Sequence, residues 1–289
     1  VILNDKPGRS SHLWDHHVVG RPPDREPSRS EPIVELRGAV AAFGPRTALS
    51  ATTLDLHGGT SVALVGPNGS GKTTLLRLIA GLLPPSSGSV LHGEGIRFAY
   101  IAQHQHQHRF MPLTAGEVLD MSRYGHLGLL GRFRSEDRAV VRAAADRLQV
   151  EELRDRTFGE LSGGQRQRVL IASAVASQAP VLLLDEPVTG LDLPSQRRIM
   201  DVIAAERGDG RLVVLSTHDL DEARQCDVVV LLAGRVVAHG SPSQVLVAAN
   251  LRAAFGSHVV DDHGQPRVID DHGHGSHGDD DHDHGGCAD

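Results

Sequence analysis

Gly66–Thr74 constrains the fold more than any other segment of this chain. Gly66-Pro67-Asn68-Gly69-Ser70-Gly71-Lys72-Thr73 fits G-x-x-x-x-G-K-T and is followed by Thr74. The segment follows an apolar run, Ser61–Val65, and opens a helical pattern, Lys72–Ala80, that stops at Gly81 and Pro84-Pro85. Such a loop needs a strand before it and a helix after it, because the N–H groups it offers to phosphate oxygens are those a first helical turn leaves unpaired. Its glycines let the backbone curl around phosphate, Lys72 places a cation on the β and γ phosphates, and Thr73 offers a hydroxyl to Mg²⁺. These features require an α/β layout with the loop at a strand end.

The rest of the chain supplies that layout. Ile33–Leu36 and Ala51–Leu56 alternate as half-buried strands, and Ile96–Ile101 reads as a further strand ending at Gln103. Helical segments fill about 113–159, the clearest being Ser135–Leu148 with Ser135 as the expected N-cap. Gly163–Ser177 reads as a helix, and Val181–Leu184 as a continuous apolar strand of the kind buried in a parallel sheet. Ser195–Glu206 (helix), Leu212–Ser216 (strand), Leu220–Gln225 (helix) and Val228–Leu232 (strand) continue the alternation.

Chemistry gathers at the ends of these strands. Asp185 closes Val181–Leu184 and can hold Mg²⁺, while the adjacent Glu186 is placed to polarise an attacking water. His218, in Ser216-Thr217-His218-Asp219, follows the next apolar strand and can contact a γ-phosphate, because strand ends in such sheets converge on the ligand crevice. Gln103 can offer an amide oxygen to Mg²⁺ or water. A second Gly-rich segment, Leu161-Ser162-Gly163-Gly164-Gln165, opens another helix shortly before the acidic strand. One chain has no evident need of two anion-binding surfaces for one nucleotide; two chains facing each other do.

Composition narrows the class. At 39% hydrophobic and 22% charged the chain is that of an ordinary soluble protein, with aromatics scarce at 3%. No run approaches the roughly 18 apolar residues of a membrane span, and no signal-peptide apolar region opens the chain. Two cysteines, Cys226 and Cys287, make no disulfide framework and fit a reducing cytosol. The net charge of −7 is concentrated after Ser257, where nine Asp face one Arg, so the remainder is close to neutral. No clustered basic face marks a nucleic-acid partner.

Set in this order, the motifs resemble the ATP-binding subunit of ABC transporters over roughly residues 33–245. Gly66–Thr74 is similar to the Walker A motif, Leu161–Gln165 to the ABC signature and Val181–Glu186 to Walker B. Gly190-Leu191-Asp192 resembles the D-loop, Gln103 the Q-loop and His218 the switch histidine. Phe43 stands where the family carries an aromatic residue that stacks on adenine. The resemblance implies a P-loop ATPase with a mixed, largely parallel core sheet, an antiparallel β subdomain and a helical insertion. It implies an ABC ATPase domain over 31–248, with the insertion at about 113–159. It further implies a head-to-tail dimer in which the Walker A loop of one subunit and Ser162, Gly163, Gly164 and Gln165 of the other enclose each ATP, with Asp192 at the same interface. A second ATPase subunit (a homodimer being expected) and a multi-span permease are the implied partners, at the cytoplasmic face of the cell membrane. An extracytoplasmic metal-binding protein would be coupled indirectly.

The stretch from Ile101-Ala102-Gln103 to Phe110-Met111-Pro112-Leu113-Thr114 is similar to ATPases of zinc and manganese importers, which carry a Phe-Pro-hydrophobic-Thr segment after the Q-loop; here Met111 interrupts the Phe-Pro pair. His104, His106 and His108 alternate after Gln103 and read as part of the surface facing the permease. Residues 1–30 are rich in Pro, Arg, Ser and His and read as a disordered extension. Residues 249–289 read as a flexible His/Asp-rich tail, in which His272, His274, His277, His282 and His284 are candidate Zn²⁺ ligands. Irregular, Gly-rich spacing argues for a low-affinity buffer or sensor there rather than a four-ligand structural site.

Overall fold

A computed structural model of the chain describes residues 2–3, 31–103, 112–127, 131–262 and 265–268. Seven strands form the central sheet: β1 (Ile2–Leu3), β4 (Ser61–Val65), β6 (Phe98–Ile101), β7 (Val181–Asp185), β8 (Leu212–Thr217), β9 (Val228–Leu232) and β10 (Val236–Gly240). Their order is β1-β6-β7-β8-β4-β9-β10, parallel from β6 to β9 and antiparallel at both edges. Every residue of β4, β7 and β8 is buried, as a parallel sheet covered on both faces requires.

The two faces belong to two cores. Ala63, Val65, Leu182, Leu184, Val213 and Leu215 point into one, shared with the helices α2 (Ala115–Met121), α4 (Ser135–Arg147), α5 (Gly163–Ala176) and α6 (Leu193–Gly208). Val62, Leu64, Val181, Leu183, Leu212 and Val214 point into the other, under α1 (Lys72–Ile79). That second core is closed by a three-stranded antiparallel sheet of β2 (Pro32–Phe43), β3 (Arg46–His57) and β5 (Ser87–His92), ordered β3-β2-β5. The period-2 alternation of the strand residues thus sends each strand into both cores at once.

The helical insertion leaves and rejoins the body at one point. Thr114 bridges Thr157, and the N–H of Phe158 donates to the carbonyl of Leu113 at 2.8 Å. Between these ends lie α2, α3 (Tyr124–Leu127) and α4, with α5 following. The insertion is tied inward by Arg123, which is 4% exposed: its Nε donates to Asp137 at 3.0 Å, and its Nη1 to the carbonyl of Ala176 and the side chain of Gln178. Among the described residues no helix is long and apolar enough to cross a membrane.

Several boundaries differ from the sequence expectation. β2 and β3 are each 12 residues long, extending the short alternating runs, and β6 begins at Phe98 rather than Ile96. Ser135 is the first residue of α4 and not its N-cap; Arg134 precedes the turn, and the Asp137 carboxylate accepts the Arg134 backbone N–H at 2.9 Å. The helix α9 (Ala248–Phe255) crosses the expected start of the tail at residue 249, because Leu251 and Phe255 are buried in the first core. Beyond it Val259–Asp262 and Gln265–Val268 pair as an antiparallel hairpin, β11 and β12. Of residues 1–30 only Ile2–Leu3 is described, and it pairs with β6. His104, His106 and His108, the tail histidines from His272 to His284, and Cys287 lie outside the described residues.

Candidate nucleotide site

The crevice forms where the parallel strands end. β4 runs into the phosphate loop, β7 into Asp185-Glu186, β8 into Thr217-His218 and β6 into Gln103, so four neighbouring strands deliver their chemistry to one edge of the sheet. This is the edge at which open α/β sheets bind ligands.

The loop itself is built for an anion. Gly71 precedes α1 with φ 102°, no side chain caps the helix, and its first turn holds no acidic residue. The leading N–H groups and the positive end of the helix dipole therefore face the loop without local competition. Gly66 is obligatory for a second reason: a Cβ there would lie 2.3 Å from the carbonyl oxygen of Leu232 and 2.6 Å from the Ser70 hydroxyl. Ser70 is buried beneath the loop, whereas Asn68 and Gly69 are exposed at its crest and Pro67 is half-buried. Lys72 is buried, and its Nζ donates to the carbonyls of Gly66 at 2.7 Å and Pro67 at 3.2 Å. An ammonium so held is poised over the mouth of the loop, and phosphate oxygens are stronger acceptors than these carbonyls.

Thr73 and Asp185 meet across the crevice, with the Thr73 hydroxyl donating to Asp185 Oδ2 at 2.8 Å. A hydroxyl and a carboxylate so paired are the hard oxygen donors Mg²⁺ takes, and the residues fit that ion. Thr73 and Asp185 would hold it, and the ion would supply positive charge to offset the charge of the transferring phosphate. Gln103 donates from Nε2 to Glu186 Oε2 at 2.6 Å, and the Thr189 hydroxyl donates to the same oxygen at 3.3 Å. Glu186 has φ 50°, a left-handed backbone that a non-glycine residue adopts only under constraint. His218 is exposed at the start of the loop after β8. Behind it, burial pushes the Glu222 carboxyl up, opposed by a hydrogen bond from the Thr217 hydroxyl at 2.5 Å.

Not every expected site residue joins this group. Phe43 ends β2 and is 52% exposed, next to the turn at Gly44. Ser162 and Gln165 bond to each other: Ser162 Oγ accepts the Gln165 N–H at 3.2 Å, and Gln165 Oε1 accepts the Ser162 N–H at 3.0 Å. This capping box leaves the Ser162 O–H free in direction to donate elsewhere, and Gly163 has no neighbour within 4 Å of a would-be Cβ. Asp192 caps α6 by accepting the Ser195 N–H at 2.8 Å, and hydrogen bonds from Ser195 hold its carboxyl below the usual range. Gly164 approaches Leu191, so the signature segment and the loop around Asp192 are neighbours. Among the described residues no group of three or more His, Cys, Asp or Glu side chains is arranged to hold a metal ion.

Sequence reading missed Ser216, whose hydroxyl touches both acidic residues; the only signal was a polar break in the apolar run Leu212–Leu215.

Comparison with known proteins agrees with this geometry. The ABC transporter family model matches residues 49–189. The manganese transport system ATP-binding protein MntA of Synechocystis is 37% identical over 227 residues, covering 75% of this chain and 87% of that protein. The chelated iron transport system membrane protein YfeB of Yersinia pestis is 39% identical over 219 residues, covering 73% and 74%. Among solved structures, the dimeric post-hydrolysis state of the ATP-binding cassette MJ0796 with ADP and Pi superposes with a TM-score of 0.63 at 28% identity, covering 72% of this chain and 98% of that one. The chain belongs to the ABC transporter family and is an ATP-hydrolysing subunit that uses ATP and Mg²⁺.

Proposed function

We propose that this subunit works as one half of a head-to-tail dimer that powers import of a divalent transition metal, manganese or zinc, through a multi-span permease at the cytoplasmic face of the membrane. The observation that carries the catalytic part is the Gln103–Glu186 bond beside the Thr73–Asp185 pair, which sets a carboxylate next to the Mg²⁺ donors. In this reading Lys72 and the N–H groups of the loop hold the β and γ phosphates, and Phe43 stacks on adenine. Glu186 orients and deprotonates the attacking water, and His218 senses the γ-phosphate. Ser162–Gln165 and Asp192 act on the partner subunit's nucleotide. The fit of the chain to the dimeric ATP-binding cassette supports the assembly, and the manganese and chelated-iron relatives support the cargo class.

Uptake tests the cargo. Cells lacking this gene should lose most high-affinity Mn²⁺ or Zn²⁺ accumulation, and complementation with a Glu186→Gln variant should not restore it. Unchanged accumulation of both ions would sink the metal assignment while leaving the ATPase untouched.

The His/Asp-rich stretch over 269–289 favours an additional role, a weak Zn²⁺ buffer coupled to the ATPase, since imidazole and carboxylate suit that ion. Removing residues 269–289 should then abolish any Zn²⁺ dependence of transport-coupled hydrolysis. An unaltered Zn²⁺ response would reject it.

A further inference from the structure

We infer that Ser216 is a positioning residue for hydrolysis, locking the geometry of both acidic residues through a single hydroxyl. The inference rests on the reading of Glu186 as the group that activates water.

Ser216 is completely buried on β8 and lies opposite Asp185 in the parallel ladder between β7 and β8. Its hydroxyl donates to Asp185 Oδ1 at 2.5 Å and accepts the backbone N–H of Glu186 at 2.9 Å. The hydroxyl thus spends its single donor on one acidic residue and a lone pair on the other, in a buried position. The first bond orients the Asp185 carboxylate so that Oδ2 is the oxygen turned to Thr73, 2.8 Å away. The second is made by the residue with the left-handed backbone, φ 50°, where β7 leaves the sheet. A non-glycine residue stays in that region only when its surroundings over-determine it. The Ser216 bond holds the Glu186 main chain, and Gln103 and Thr189 hold its carboxylate from the other end. Together they fix where that carboxylate points relative to the Mg²⁺ donors.

Small displacements of a reacting group are costly in rate, with about 1 Å worth roughly 10²-fold. Removing the hydroxyl frees both anchors while leaving the phosphate loop unchanged. The expected loss is therefore in turnover and not in ATP affinity.

The test uses purified full-length protein and four variants: Ser216→Ala, Ser216→Val, Ser216→Thr and Glu186→Gln. Val and Thr match in shape and differ in the hydroxyl, so packing is controlled even if the Ala variant folds poorly. The inference expects kcat to fall roughly 10–100-fold in the Ala and Val variants, with KM for ATP and fluorescent-nucleotide binding within about twofold of wild type. Thr should recover most of the loss. Wild-type kcat in the Val variant, equal losses in Val and Thr, or a loss confined to KM would each overturn it. Glu186→Gln separates the two claims. If that variant turns over at the wild-type rate, the reading of Glu186 fails; if it is inactive while Ser216→Val is fully active, only the Ser216 inference fails.

Discussion

The two Gly-rich helix starts of this chain are built on opposite plans. At α1 the helix has no side-chain cap, the loop is folded over a buried Ser70, and the ammonium of Lys72 rests on loop carbonyls. At α5 the Ser162–Gln165 capping box satisfies the helix end from within, and Ser162 and Gly163 are exposed. An uncapped helix start is tolerable only where the surrounding fold supports it and a ligand satisfies it. A capped one is stable alone and can wait for a partner. The first start lies at the end of a central strand with Asp185 and Glu186 beside it; the second stands on the side of the helical insertion, next to Leu191. The contrast separates a helix start that leaves its N–H groups to a ligand from one that satisfies its own end and keeps Ser162 and Gly163 exposed.

The sharpest way to test the first half of that contrast is Glu186→Gln. Turnover should fall by about 10²–10⁴-fold with ATP binding retained, read by phosphate release against fluorescent-nucleotide titration. Loss of binding instead would place Glu186 in the loop's own architecture.

Mixing variants addresses the second half. Lys72→Ala and Ser162→Ala should each be nearly inactive, and combining them should restore part of the activity. A mixed dimer regains one site with both an intact Lys72 and an intact Ser162. If the mixture stays as inactive as its components, Ser162 does not act on a partner's nucleotide.

The helical insertion that precedes the signature segment contains a buried ion pair. Asp137→Ala leaves the buried Arg123 charge without a counter-ion, its hydrogen bonds to Ala176 and Gln178 notwithstanding, which should cost about 3–5 kcal/mol in urea melts. Arg123→Met combined with Asp137→Leu should recover much of that loss. A cost below about 1 kcal/mol for Asp137→Ala would show the pair to be solvated like a surface bridge.

The smallest effect concerns Cys226, on the first core. Burial pushes its thiol from 9.0 up to about 12, so the native thiol stays protonated at neutral pH. In a Cys287→Ser variant, a thiol reagent at pH 8 should label Cys226 only after unfolding. Because the native value lies above the unfolded one, the associated stability is whole below pH 9.0 and is lost as pH rises towards about 12. Rapid native labelling at pH 8 would contradict the burial.

Much of this site was legible because its motifs are local. The phosphate loop, Asp185-Glu186 and His218 are each set by a few adjacent residues at the end of an apolar run. What escaped reading lacked local periodicity. β5 is an edge strand with no fully buried residue, so it shows no alternation, and β10 is likewise only partly buried. α9 was hidden because two apolar anchors, Leu251 and Phe255, are few to set against a polar segment that follows. Ser216 escaped for a different reason: a serine in a strand has no chemistry until the neighbouring strand is known.

The sequence by itself determined that this chain builds a phosphate loop on a strand–helix junction, followed by an acidic strand end and a second Gly-rich helix start. Backbone geometry and hydrogen-bonding chemistry at those spacings admit little else. Only the tertiary structure decided which side chains meet. The register of β7 against β8 sets Ser216 opposite Asp185, and the order of four strands brings Gln103 to Glu186 across 83 residues of chain. Pairing across a sheet depends on packing summed over both cores, and no short segment encodes it.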